Sequence, residues 1–390
     1  MGEWEQQPLG QLFEVQLGKM LSNGSNNGPQ YQYLANRNVQ WGKIVIDDLG
    51  TMNFSGIERK CYRLQPGDLL ICEGGEVGRA ALWSGELSNC YFQNAIHRLR
   101  PIAKVSALFM RYYFEYAARR GLLRALTGQT SIGHLPRANL VRWHVPVPPL
   151  DEQQRIAEIL DTFDETIRTT EYVITKLQVV SSAVQEQLVL SSTGPAIDLA
   201  AVAILKGGHG FPEDMQGNQT GSVPFYKVSD MNASGNRKFM RDANNYVERE
   251  VAVRYGWRLL PPGSVIFAKV GAALLGNKRR ILTVDSIVDN NMMAAIPTSL
   301  VSTEWLYRWL QLVDFKNFVQ IGALPSVNQK LIGELKLHLP SLEEQQRSAE
   351  ILDTADDAIQ ATQQQLDKLQ KLRAGLADDL LSGRVRTVAA

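Results

Sequence analysis

Pro148 to Ile167 reads PPLDEQQRIAEILDTFDETI, and 192 residues later Pro340 to Ile359 reads PSLEEQQRSAEILDTADDAI. The two stretches agree at 14 of 20 positions, too many for chance, so the chain carries an internal duplication. Fainter echoes precede each copy in the same order. Pro66-Gly67-Asp68 before Leu69, Leu70 and Ile71 answers Pro262-Gly263-Ser264 before Val265, Ile266 and Phe267, and Gln93-Asn94 with Pro101 answers Asp289-Asn290 with Pro297. An aromatic, apolar segment follows each, from Leu108 to Leu126 and from Trp305 to Val319.

Both copies of the motif open long helices. Asp151 to Thr193 contains neither Gly nor Pro, and Ile156, Leu160, Phe163, Ile167, Thr170, Ile174, Leu177, Ser181, Val184 and Leu188 alternate spacings of four and three. The second seam runs through Ser348, Leu352, Ala355, Ile359, Thr362, Leu366, Leu369, Arg373, Leu376 and Leu380. Pro149 and Ser341 stand before the helices, and acidic Asp151, Glu152, Glu343 and Glu344 favour the positive end of each dipole. Gly194-Pro195 is expected to close the first helix and Gly383 the second. A helix of about 40 residues spans roughly 60 Å, longer than one small core requires, so the two are expected to pair with each other.

The expected organisation is therefore a mixed α+β chain of four segments: a globular unit over 1–147, a helical spacer over 148–193, a second unit over 194–339 and a second spacer over 340–390. Short apolar stretches bounded by Gly, Pro and Asn, such as Leu69 to Cys72, Val223 to Val228 and Val265 to Ala268, predict strands, and the aromatic segments predict one helix per unit.

A formal net charge of +1 conceals a segregation. The globular segments hold 16 Lys/Arg against 11 Asp/Glu (+5) and 16 against 12 (+4), while the helical ones hold 3 against 8 (−5) and 6 against 9 (−3). Basic units on acidic spacers suit two modules that touch DNA, although helix surfaces are also acidic for solubility alone. Arg or Lys toward guanine, Asn or Gln toward adenine, and further cations toward phosphates are what DNA binding requires. The candidates in the first unit are Lys19, Asn36, Arg37, Asn38, Arg59, Lys60, Arg79, Gln93 and Asn94. Those in the second are Lys206, Lys227, Asn232, Arg237, Lys238, Lys269, Lys278, Arg279 and Asn290. Each cluster alone also reads as a solvated loop; their even division between duplicated units favours binding.

Enzyme signatures are missing from the sequence. Gly18-Lys19 and Gly42-Lys43 are followed by Met20 and Ile44, which breaks a phosphate loop, and the glycines of 74–78 and 207–210 read as turns. His97, His134, His144, His209 and His338 show no metal-ligand spacing. Cys61, Cys72 and Cys90 are expected to be buried thiols in a reducing compartment. With no apolar run of membrane-spanning length and no secretion signal at Met1 to Glu5, a cytoplasmic location is expected.

Val145 to Ile156 (VPVPPLDEQQRI), repeated as Leu337 to Arg347 (LHLPSLEEQQR), closely resembles the specificity subunits of type I restriction-modification systems. Ser341 and Ser348 depart from the motif in the second copy. The resemblance implies two target recognition domains reading the halves of a bipartite double-stranded DNA site, with the helices forming an antiparallel coiled coil that sets the gap. It also implies two modification (methyltransferase) subunits and restriction (motor and nuclease) subunits as partners. S-adenosylmethionine, ATP and Mg would belong to those partners, leaving this chain without cofactor, metal or catalytic residue. The alternatives are a guide subunit of a solitary methyltransferase and a coiled-coil adaptor for protein or RNA.

Overall fold

The computed structural model describes residues 4–20, 28–127, 133–318 and 325–387; Met1 to Glu3 and Val319 of the sequence reading lie outside them. Two compact units emerge, the first formed by Met1–Glu171 with Gln364–Ala390 and the second by Tyr172–Gln363.

The first unit is organised by Leu69–Cys72 (LLIC), whose four side chains are all buried. A strand without polar alternation must be covered on both faces. Leu69 and Ile71 enter a cluster with Phe109 and Phe114 from the helix Ala107–Arg119, while Leu70 and Cys72 join Leu34, Trp83 and Phe92 on the other side. The sheet runs Phe13–Leu17, Ile96–Pro101, Leu69–Cys72, Ala80–Leu82, antiparallel throughout. Burying a Leu or Phe in such a layer contributes about 1.5–3 kcal/mol. The aromatic helix stops at Arg119 because Gly121 turns left-handed (φ +72°), and Leu122–Leu126 continues as a 3-10 turn.

The second unit repeats this plan. Val265–Ala268 pairs with Met292–Pro297 and Arg279–Leu282, and Ala203–Gly207 flanks Met292–Pro297. Val265 and Phe267 pack toward Trp305, Leu306 and Leu310 of Thr303–Leu312; Ile266 packs toward Tyr226 and Met292. Phe239–Met240 adds a parallel edge strand that has no counterpart in the first sheet. The expected strand at Val223 is shorter than the sequence suggested, Val223–Tyr226, since the chain bends into a 3-10 turn over Val228–Asn232.

The long helices span Leu150–Leu190 and Leu342–Leu381. Gly194 does not close the first one, which ends four residues earlier. Ser192 instead donates to the His338 carbonyl (2.6 Å), and a side chain at 194 would fall 1.7 Å from the Leu339 oxygen, so only glycine admits this approach. Ile156, Leu160, Ile174, Leu352, Leu366 and Leu380 of the two seams are buried, while Phe163, Ile167, Leu177, Val184, Leu188, Ile359, Leu369 and Leu376 are half-buried. In the first unit Glu152 meets Arg386 (2.6 Å) and Asp164 meets Arg373 (2.9 Å), so the segments run antiparallel. In the second, Val189 and Leu352 share the core.

Cysteine placement departs from expectation at one position. Cys72 and Cys90 are buried, and burial pushes the Cys90 thiol up to about 12, but Cys61 is exposed on Gly56–Tyr62, a capped helix that buries no side chain. Among the described residues no helix is long and apolar enough to cross a membrane, and no group of three His, Cys, Asp or Glu is placed to hold a metal.

Candidate nucleic-acid interface

The candidate DNA-binding residues separate into those held by the fold and those presented to solvent. Lys19 is buried, and its Nζ donates to Glu58 (2.8 Å) and to the Asn53 carbonyl (2.6 Å). Its hydrogen bond is what holds Glu58 below the usual carboxylate range. Asn38 is buried, accepting the Ala35 N–H (2.8 Å) and donating to the Val45 and Asp48 carbonyls. Asn36 donates to the Gly74 carbonyl (2.8 Å) and accepts from Arg79 through its own side chain (2.7 Å), which clamps two loops together. Lys238 is bound by Asp353 (2.7 Å) and Glu304 (2.9 Å). Arg279 is 2 % exposed, bonded to the Leu310 and Val313 carbonyls, with its guanidinium 3.9 Å from the Phe315 ring centre.

For these residues the fold supplies partners that the sequence pattern did not show. A buried cation whose donors are already satisfied stabilises the unit, and presenting it to a base would cost the desolvated interactions around it. Nothing in the chain's one-dimensional pattern separates Arg279 from its neighbour Lys278. The separation comes from where the strand begins: Arg279 opens Arg279–Leu282 and is buried, while Lys278 lies just before it, exposed and hydrogen-bonded to Asn232.

Arg37, Arg59, Lys60, Arg237, Lys278, Asn232 and Asn290 are exposed. Arg37 is lightly tethered by Asp48 (2.9 Å), a surface pair worth under about 1 kcal/mol and readily exchanged for a phosphate. Arg59 leans on Tyr31, its guanidinium 5.9 Å from the ring centre.

Gln93, Asn94, Lys206, Lys227, Lys269 and Asn290 fall on a rim that both units build alike. Glu73 donates its N–H to the Ala95 carbonyl (3.0 Å) and accepts from Leu135 (2.8 Å); Lys269 donates to Asn291 (2.8 Å) and accepts from Val327 (3.0 Å). Gln93 N–H reaches Leu34 (3.1 Å), as Asp289 N–H reaches Tyr226 (2.9 Å). Gly18 N–H reaches Ile96 (3.0 Å), as Gly208 N–H reaches Met292 (3.1 Å). The same hydrogen-bond frame thus recurs with different side chains on it. The profile of the type I restriction modification DNA specificity domain matches residues 1–179 and again 198–371.

The chain belongs to the type I restriction-modification specificity subunits.

Its duplicated units are the two copies of that family's domain. The putative type I restriction enzyme MjaX specificity subunit of Methanocaldococcus jannaschii is 21% identical over 98% of this chain and 94% of its own length. The specificity subunit of M. genitalium superposes with a TM-score of 0.57 at 17% identity, covering 97% of this chain and 96% of that one. A chain solved in work on complex assembly and conformational transition of the type I restriction-modification system gives 0.63 at 15% identity, over 99% of both. At such identities the structures attest the shared fold, duplicated units and long helices included.

Sequence reasoning missed the ionic anchors between the globular units and the helices. Arg373 forks onto Glu115 (2.6 Å) and Asp164 (2.9 Å), and Arg111 and Tyr112 also reach Asp164 (3.2 and 2.9 Å). In the second unit Arg308 takes Asp353 (2.5 Å) and Asp356 (2.7 Å). The available signal was a charged residue, Arg373, at a seam position that otherwise takes apolar or small side chains.

Proposed function

We propose that each unit reads one half of a bipartite duplex DNA site, that the paired helices set the gap, and that modification and restriction subunits dock on the result. Carrying this proposal is the recurrence of one hydrogen-bond frame in two units with unlike exposed side chains. A common frame with divergent surfaces is what reading two unlike half-sites calls for. The chain itself acts without chemistry: methyl transfer, cleavage and the S-adenosylmethionine, ATP and Mg they need belong to the partner subunits, in the cytoplasm where chromosomal DNA lies. Two copies of the modification subunit fit the two copies of the unit-and-helix element.

Exchanging residues 1–147 for the equivalent unit of a relative and sequencing the methylome tests the proposal. One half of the methylated motif should change while the other half and the gap persist. A change in both halves at once, or methylation by the purified chain free of partners, overturns it.

A further inference from the structure

Two arginines, one in each unit, are exposed while the residues on either side of them are held. Arg37 lies in the 3-10 turn Asn36–Asn38, and Arg237 lies in the bend before Phe239–Met240. In the first unit Arg79 donates to the Asn36 carbonyl (2.8 Å), the Val45 N–H to the Asn38 carbonyl (2.8 Å) and Gln40 to the carbonyl of Arg37 itself (2.7 Å). In the second, Arg280 donates to the Asn236 carbonyl and the Ile281 N–H to the Lys238 carbonyl (2.8 Å). Arg79 stands just before Ala80–Leu82 and Arg280 within Arg279–Leu282, strands that pair alike with Leu69–Cys72 and Val265–Ala268. Both arginines are thus braced from corresponding strands, although they occupy different points of the chain.

The neighbouring side chains tighten the same grip. Asn38 bonds three backbone groups, as described above. Asn236 is fully buried; it donates to the Asp230 (2.9 Å) and Asp242 (2.7 Å) carbonyls and accepts the Arg241 (2.8 Å) and Asp242 (3.0 Å) N–H groups. Lys238 is fixed to Asp353 of Leu342–Leu381, which Arg308 also holds. The two guanidinium groups themselves stay available. Asp48 takes one edge of Arg37, its carboxylate meeting Nε (2.9 Å) and its carbonyl meeting Nη2 (3.3 Å), which leaves the end edge of Nη1 and Nη2 open. Arg237 has no partner among the described residues. Lys60, equally exposed, rides instead on Gly56–Tyr62, which buries no side chain.

A phosphate accepts a cation from many directions, whereas guanine O6 and N7 demand a planar fork at a set position. Fixing the backbone beneath that fork in advance removes ordering that binding would otherwise have to impose. We infer that Arg37 and Arg237 are the guanine readers of the two half-sites, and that Lys238 and Asp353 are positioning residues that hold the second reader against its long helix. This inference rests on the DNA-reading role proposed above.

Fluorescence anisotropy on the assembled complex with its modification subunits tests it. The probes are a labelled duplex bearing the methylome-derived motif and a series in which each G·C pair of the motif is replaced in turn by A·T. Wild-type complex that fails to distinguish these duplexes from the motif defeats the DNA-reading role itself. Where it does distinguish them, Arg37→Ala should cut discrimination about 5- to 150-fold at one G·C pair, and Arg237→Ala should do so at one pair of the other half. Each should leave the slope of log K against log salt unchanged. Lys238→Met should blunt the same pair as Arg237→Ala, and Lys238→Arg, which keeps a cation for Asp353, should restore it. An alanine variant that weakens every duplex equally and flattens the slope by about 1 marks a phosphate contact and overturns that assignment. A half-motif without a G·C pair, or two alanine variants that act on the same half, also overturns it. Lys238→Met with discrimination intact removes Lys238 and Asp353 as positioning residues.

Discussion

Gln153 accepts the Ser106 N–H at 2.8 Å through Oε1 and donates through Nε2 to the Pro148 carbonyl at 2.8 Å. Gln345 repeats the arrangement with the Ser302 N–H (2.8 Å) and the Pro340 carbonyl (3.0 Å). Both glutamines are buried, and Ser106 and Ser302 cap the aromatic helices. The repeated motif is therefore a socket that locks each long helix to its globular unit. Gln153→Leu, which strands an N–H and a carbonyl, should cost about 1–3 kcal/mol. Gln345→Leu should cost a similar amount. Urea midpoints measured on the two variants check this.

Arg373 holds two carboxylates in a partly buried setting, its side chain 11% exposed against 20% for Glu115 and 26% for Asp164. Arg373→Met should lower stability by about 1–3 kcal/mol, because Glu115 and Asp164 lose the guanidinium they share and keep only Arg119 and Arg111 respectively. Adding Asp164→Asn to that variant should cost less than the two single changes summed. A double-mutant cycle in urea reads the coupling, and strict additivity would remove the network from the account.

Acid should weaken the fold in two steps. Burial alone would raise Glu152, Asp164 and Asp353, but Arg386, Arg373 and Lys238 respectively outweigh it and leave all three below the ordinary carboxylate range. Their stabilisation is complete above the unfolded value of about 4 and is lost as pH falls through their lower folded values. His97 titrates earlier: burial depresses it while Nε2 holds the Leu135 carbonyl at 2.8 Å, so stability begins to fall once pH drops below the unfolded value of about 6.5. Burial raises Glu73 and Asp289, which oppose the carboxylate trend. Burial also depresses His209, which accepts the Arg258 N–H (2.9 Å), so urea midpoints across pH 8 to about 3.5 should show both steps, and His97→Gln should shrink the upper one and His97→Gln with His209→Gln erase it.

How far DNA binding was legible depended on the pattern available to carry it. The helices and seams could be read because period survives in one dimension; Leu160 and Leu380 are buried as spacing required. Charge has no such period. Lys238 and Arg237 are adjacent in sequence, yet one is tied to Asp353 and the other is exposed. The end of the first helix was misplaced for a related reason. Ser191 to Thr193 contain nothing that breaks a helix, and it is the strand at Lys336–His338, remote in sequence, that draws them out.

Two classes of variant follow from the difference between held and exposed cations. Lys60→Ala and Arg237→Ala should leave the urea midpoint unchanged and weaken DNA binding, by about 1–3 kcal/mol at one base pair if the interaction is bidentate, or by flattening the salt slope by about 1 if it is to phosphate. Arg279→Ala should instead unfold the protein at lower urea, since it removes a buried guanidinium bonded to two carbonyls. Equal stability losses in all three would abolish the division.

Deleting Thr170 to Lys176 together with Thr362 to Lys368 removes one heptad from each helix and restores the same apolar face. Each helix shortens by about 10 Å, close to three base pairs, while three base pairs turn the DNA by roughly 100°. Length and phase then conflict on straight DNA. A shorter gap methylated at reduced affinity, or loss of specific methylation by a folded protein, is expected. Methylome sequencing that returns the original gap at undiminished extent would show that the helices set no distance.

The first unit is discontinuous in sequence, closing only when Gln364–Ala390 returns to it, whereas the second unit is a single stretch, Tyr172–Gln363. Ala377, Leu380 and Leu381 are almost fully buried in the first unit's core beside Ile156 and Leu160. On the ribosome, the half synthesised first must therefore wait with that apolar face bare while the half synthesised second has all its residues in hand. The nascent chain finishes folding in the reverse of the order in which it is made. Until Gln364–Ala390 has been made, the face around Ile156 and Leu160 lacks the cover that Ala377, Leu380 and Leu381 give it.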